Sequence, residues 1–78
     1  MAMDWRERIA VDPKVLVGKP VIKGTRISVE FVVDLLARGW TPEQVVREYD
    51  HITADDVRAC LAYASEMLRE ERIYLVPA

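Results

Sequence analysis

Few residues in this chain could carry chemistry. His51 is the only histidine and Cys60 the only cysteine, so neither a histidine pair nor a CxxC cluster is available to hold a metal. Asp50 stands beside His51 and could orient its imidazole, but no nucleophile pattern accompanies the pair. Gly18-Lys19 and Gly24-Thr25 have the residue types of a phosphate loop. That loop needs its lysine immediately before the hydroxyl residue, whereas Lys23 precedes Gly24, so a nucleoside triphosphate site is rejected. The expectation is a protein that is not an enzyme and uses no cofactor and no metal. His51 reads as a turn residue, and Cys60 as a small core residue.

The remaining chemistry is electrostatic. Lys14, Lys19, Lys23 and Arg26 lie between Pro13 and Ile27 with no carboxylate among them. Residues 1–38 carry a net +2 and residues 39–78 a net −4, although the whole chain is only −2. Any nucleic-acid contact should therefore lean on the N-terminal half. The basic stretch has two readings: an anion-binding ribbon for phosphate or a partner's acidic site, or lysines that blunt a sheet edge. Lys19, Lys23 and Arg26, with Arg58 further on, are the candidate DNA- or anion-binding residues.

These side chains need elements to position them. Ile9-Ala10-Val11 is a short β-prone run, stopped by Asp12-Pro13 because proline restricts its predecessor and cannot donate to a ladder. Val15-Leu16-Val17 fits either a strand or a tucked turn. Pro20–Ile22 and Thr25–Ile27 flank Lys23-Gly24, which reads as a two-residue hairpin with glycine at the positive-φ position. So short a hairpin needs the Ile9–Val11 strand, a helix or a second chain beside it.

Ser28 suits the N-cap of a helix over Val29–Arg38, whose only polar line is Glu30, Asp34 and Arg38. Gly39 ends it, with Trp40 folding back. Thr41-Pro42-Glu43-Gln44 has the cap, the first-position proline and the capping-box glutamine of a second helix, to about Tyr49. After Asp50-His51-Ile52, Thr53 caps a third helix from about Ala54 to Arg72, with Asp55 and Asp56 at the positive end of its dipole. Its expected buried row is Val57, Leu61, Ala64 and Leu68.

The predicted fold is therefore mainly α: a trihelical helix-turn-helix domain with a short N-terminal β-hairpin. It forms a single domain over 1–78, with a ribbon arm (1–27), a helical core (28–72) and a tail (73–78). As a recognition helix the third would show Asp55 and Asp56 to a polyanion, which disfavours groove reading. It is also the longest, so its second half outruns the helices before it and leads into the apolar Ile73–Val76. Something must bury that end. Tyr63, Met67, Arg69, Arg72 and Tyr74 are the candidate partner-binding residues.

The bounds agree with a binding module. A chain this short buries only about 60% of its unfolded surface, yet 51% of its residues are hydrophobic, which favours a homodimer or a complex over a free monomer. No apolar run reaches the roughly 18 residues of a membrane span, and the first eight residues lack the apolar core of a secretory signal. A cytoplasmic protein is expected.

Asp12-Pro13, Gly18-Lys19-Pro20-Val21-Ile22, Gly24-Thr25-Arg26-Ile27, Leu35-Leu36, Gly39, Thr41-Pro42-Glu43-Gln44 and Tyr49 together resemble the domain of unknown function four-three-three, from about Trp5 to Ala64. That family resembles the VapB-type antitoxins. The resemblance implies a homeodomain-like or winged-helix-like trihelical fold, a dimer, and the antitoxin half of a type II toxin–antitoxin pair facing a PIN-like ribonuclease, with DNA as a further partner. The alternatives are a stand-alone DNA-binding regulator and a structural dimerisation module.

Overall fold

The computed structural model describes residues 4–70; Arg72, Tyr74 and the 73–78 tail lie outside them. The described chain opens with a single 3-10 turn, Trp5–Glu7, capped by Asp4, whose carboxylate accepts from the Arg6 amide at 3.0 Å. Strand β1, Ile9–Val11, follows directly and pairs antiparallel with β2, Pro20–Ile22, in the register Ile9↔Ile22, Ala10↔Val21, Val11↔Pro20. The connection resolves the choice left open at Val15–Val17. It is a turn, with Leu16 and Val17 at φ 48° and 57° and Val17 almost fully exposed.

The turn expected at Lys23-Gly24 forms, but its hairpin does not continue. The Thr25 amide donates to the Ile22 carbonyl at 3.0 Å and Gly24 has φ +79°. Thr25–Ile27 forms no strand; what remains is one amide bond from Ile22 to Ile27 and a bridge between Val21 and Ser28. Two causes act together. A positive φ at the second central residue alone is the type II pattern, whose twist splays flanking strands. The Thr25 hydroxyl also donates to the Ile22 carbonyl at 2.8 Å and accepts from the Ile27 amide at 3.0 Å, curling the chain toward the helix. β2 therefore takes its ladder from β1.

Three helices complete the fold: α1 over Val29–Ala37, α2 over Pro42–Glu48 and α3 over Ala54–Glu70. Each start follows the capping chemistry of its sequence. Ser28 Oγ accepts from the Phe31 amide at 2.9 Å, and Thr41 and Gln44 form a reciprocal capping box. α1 ends with Gly39 at φ +98°, the Gly39 amide donating to Leu36 and the Trp40 amide to Leu35. Those two bonds satisfy carbonyls that the helix end would otherwise leave unpaired. The core gathers Ile22, Val32, Val45, Ile52, Val57, Ala59 and Cys60, all 2% exposed or less.

The expected buried row of α3 is rotated. Val57 is buried, but Leu61 and Leu68 are 44% and 59% exposed, and the inward residues are instead Asp56, Val57, Ala59 and Cys60. Ala59 and Cys60 are small enough for α3 to sit close against its neighbours. Nor is the second half of α3 left bare: the N-terminal turn covers part of it. The Trp5 indole packs edge-on to Tyr63 at 4.8 Å and its Nε1 donates to Glu66 at 2.8 Å.

Cys60 is wholly buried. Burial first, and then the negative charge of Asp56, push its thiol from 9.0 to about 12. The unfolded chain ionises this thiol first, so its contribution is complete below pH 9 and is lost as pH rises toward 12. Replacing Cys60 by alanine should flatten the alkaline loss of stability in that window, by at most about 1.4 kcal/mol per pH unit. Urea denaturation of both proteins across it measures the difference.

Candidate interaction site

The expected site residues divide into two places. Lys23 occupies the first central position of the turn, exposed, with its amide bonded to the Arg8 carbonyl at 2.8 Å. The Arg8 side chain reaches the start of α3, with Nη1 3.1 Å from Asp56 and Nη2 3.7 Å from Asp55. Arg58 pairs with Asp55 at 3.3 Å. The Lys23 turn, with Arg26 following it, thus adjoins the first turn of α3. Lys19 lies past the other end of β2, about 13 Å of extended chain away, and pairs with Glu30 of α1 at 3.1 Å. Among the described residues Lys14, Lys23 and Arg26 have no ion pair.

This arrangement corrects the expectation that two carboxylates at the start of α3 would face outward. Asp56 is 8% exposed. Its Oδ2 accepts from the Thr53 amide at 2.9 Å, its own amide donates to Thr53 Oγ1 at 3.2 Å, and its Oδ1 accepts from Arg8. Asp55 is shared between Arg8 and Arg58. One carboxylate is therefore internal and the other compensated.

The second place is the flank of α3. Tyr63 and Ala64, with Val29 and Val33 of α1 and Lys19, Pro20 and Glu30, line an open, mostly apolar cleft of about 290 Å³. Met67 is half-buried, and Arg69 is exposed with its guanidinium on Ser65 Oγ at 3.3 Å. Glu66 is occupied by Trp5 and Arg6. Leu61 and Leu68 were not singled out from the sequence as surface residues. Their signal was there: with Val57 and Ala64 they repeat at steps of four, three and four, the spacing of an interhelical seam.

Arg8 was also missed, and Asp56 was read as a dipole-end charge and not as a cap. Thr53-x-x-Asp56 is a legible capping box, but nothing local links Arg8 to a residue 48 positions on. His51 is exposed with its Nε2 3.7 Å from Asp50, and among the described residues no group of three or more metal-ligating side chains occurs. No helix of the described chain is long and apolar enough to cross a membrane.

Fold and surface together define a small, mainly helical domain with a two-stranded antiparallel ribbon clasped to its longest helix. The chain belongs to DUF433, a family of proteins of unknown function, whose sequence pattern it matches over residues 9–64. It is 75% identical over 24 residues to an uncharacterized protein of Archaeoglobus fulgidus, a match covering 31% of this chain and 67% of that one. It is 32% identical over 59 residues to the uncharacterized protein y4eO of Sinorhizobium fredii, covering 76% of this chain but 27% of the relative. No solved structure matches the chain significantly.

The clasp has a measurable energetic signature. Asp56→Ala removes an N-cap bond and leaves Arg8 only its 3.7 Å pair with Asp55, and should cost about 2 kcal/mol. Arg8→Ala should cost about 1–3 kcal/mol by leaving a largely buried carboxylate underbonded. The double variant should lose less than the sum of the two, because the interaction is shared. Chemical denaturation of the four proteins gives the coupling.

Proposed function

We propose that this chain is the antitoxin half of a type II toxin–antitoxin pair, a non-enzymatic cytoplasmic protein that neutralises a PIN-like ribonuclease by binding it through α3. The observation that carries this reading is the apolar flank of that helix. Leu61 and Leu68 are large, exposed and on one seam, beside the cleft at Tyr63 and Ala64. Exposed apolar patches of this kind mark protein interaction sites. Arg69, exposed and bonded only to Ser65 among the described residues, can meet the acidic metal-binding site of such a nuclease. The family resemblance supplies the toxin class.

Co-expression with the product of the neighbouring reading frame tests the proposal. A stable complex and relief of toxicity are expected. Leu61→Asp combined with Leu68→Asp should abolish both while the chain stays folded, since neither side chain belongs to the core. A complex indifferent to these changes would sink the assignment to α3.

A second activity, operator binding by a helix-turn-helix formed from α2 and α3, is supported by one observation. The acidic start of α3 is compensated by Arg8 and Arg58, leaving Lys23 and Arg26 without carboxylate partners beside it. Lys23→Ala with Arg26→Ala should weaken binding to the chain's own promoter and reduce the salt slope by about 2. Electrophoretic shifts over a salt series read this out. No binding at low salt would leave the chain a protein-binding module alone.

A further inference from the structure

The loop between β1 and β2 breaks the local rules of its own turn. Leu16, Val17 and Gly18 follow one another at φ 48°, 57° and 80°, and among the described residues Leu16 and Val17 are the only non-glycine residues with positive φ. A left-handed backbone is costly for a residue with a Cβ, and most of all for a β-branched one. Glycine or asparagine would make the same turn with less strain, and a polar side chain would suit the solvent there. The chain instead places valine where exposure is greatest: Val17 is 96% exposed and Leu16 39%. Strain and apolar exposure at one point, with no local gain, are the signature of a contact made outside the turn.

A hole of matching character lies next to this knob. Pro20, three residues after Val17, is one wall of the apolar cleft that Val29 and Val33 of α1 and Tyr63 and Ala64 of α3 complete. A cavity of about 150 Å³ takes a benzene-sized group, so a cleft of about 290 Å³ has room for the side chains of the tip. Val17 does not fill the cleft of its own chain, since it stands in solvent. Val11, 59% exposed, is opposite Pro20 across the ladder. It therefore shares a face of the ribbon with Pro20, and continues the apolar surface from the cleft to the base of the loop.

We propose that two copies of the chain associate about a two-fold axis beside Lys19, the Leu16-Val17 tip of each entering the cleft of the other. Two observations select a second copy as the occupant. Knob and hole are adjacent, at most about 10 Å apart along the chain, so two identical contacts can close on one axis, as an isologous interface requires. The charges between them are also self-complementary. Lys19 and Glu30 pair at 3.1 Å and keep 57% and 78% side-chain exposure. An axis beside them sets Lys19 of each copy against Glu30 of the other, and the two ion pairs become an alternating ring of four charges that fixes the register. Burial in the cleft then offsets the strain that the tip carries in the free chain. This dimer does not rest on the antitoxin reading.

Val17→Asn separates a contact role from a structural one. Asparagine tolerates the left-handed backbone better than valine, and the exposed position holds no place in the core. In urea unfolding at concentrations where the chain is monomeric, the variant should be at least as stable as the unaltered chain. In sedimentation it should raise the dimer dissociation constant by about 10- to 100-fold, because an apolar side chain is lost from each of two contacts. An equimolar mixture of full-length Val17→Cys and Val33→Cys chains should form a mixed covalent dimer in a glutathione redox buffer, with the buried Cys60 unmodified by mass spectrometry. A chain that sediments as a monomer at hundreds of micromolar overturns the proposal, whatever else the tip binds. A dimer indifferent to Val17→Asn, or one in which the mixture forms no cross-link, places the interface elsewhere and overturns it too.

Discussion

Asp56 is the residue through which the two parts of this molecule hold together. Its carboxylate closes the capping box at the start of α3 and, through Arg8, fastens the strand that begins one residue later. A buried carboxylate is costly unless its oxygens are bonded, and here both are. Among the described residues no buried side-chain polar atom lacks a partner. The ribbon is only two strands of three residues, too little to stand alone. It persists because Ile9 and Ile22 enter the helical core and because Arg8 and Trp5 reach α3 on either side of the strand's entry.

That dependence explains which parts of the fold were legible in the sequence. Helix starts and stops were readable because capping is local: Ser28, Thr41-Pro42-x-Gln44, Gly39-Trp40 and Thr53 act within four residues of themselves. The turn at Gly24 was readable for the same reason. The partner of β2 was not, since choosing β1 over Thr25–Ile27 depends on turn twist and on the Thr25 hydroxyl. The inward face of α3 was misjudged because the seam Val57-Leu61-Ala64-Leu68 is the more apolar one. The core is instead set by Ala59 and Cys60, whose small size lets α3 approach its neighbours closely.

The candidate site shows the same division. Exposed cations in the ribbon could be named from composition, but their grouping could not. Lys23 reaches the α3 end only because Arg8 ties β1 there, and Lys19 is drawn to Glu30 at the opposite end of β2. A basic stretch that looks continuous in sequence is thus split between two surfaces by the length of a single extended strand. Tyr63, assigned to a partner surface, packs instead against Trp5, and the apolar exposure moves to Leu61 and Leu68.

What remains uncovered has a common logic. A small domain does not readily bury both flanks of a 17-residue helix,. Among the described residues it buries the α3 flank that carries its clasp, leaving Leu61 and Leu68 exposed, and the turn at Thr25 covers the β2 edge. A leucine seam has no register of its own and accepts any helix or groove of complementary shape.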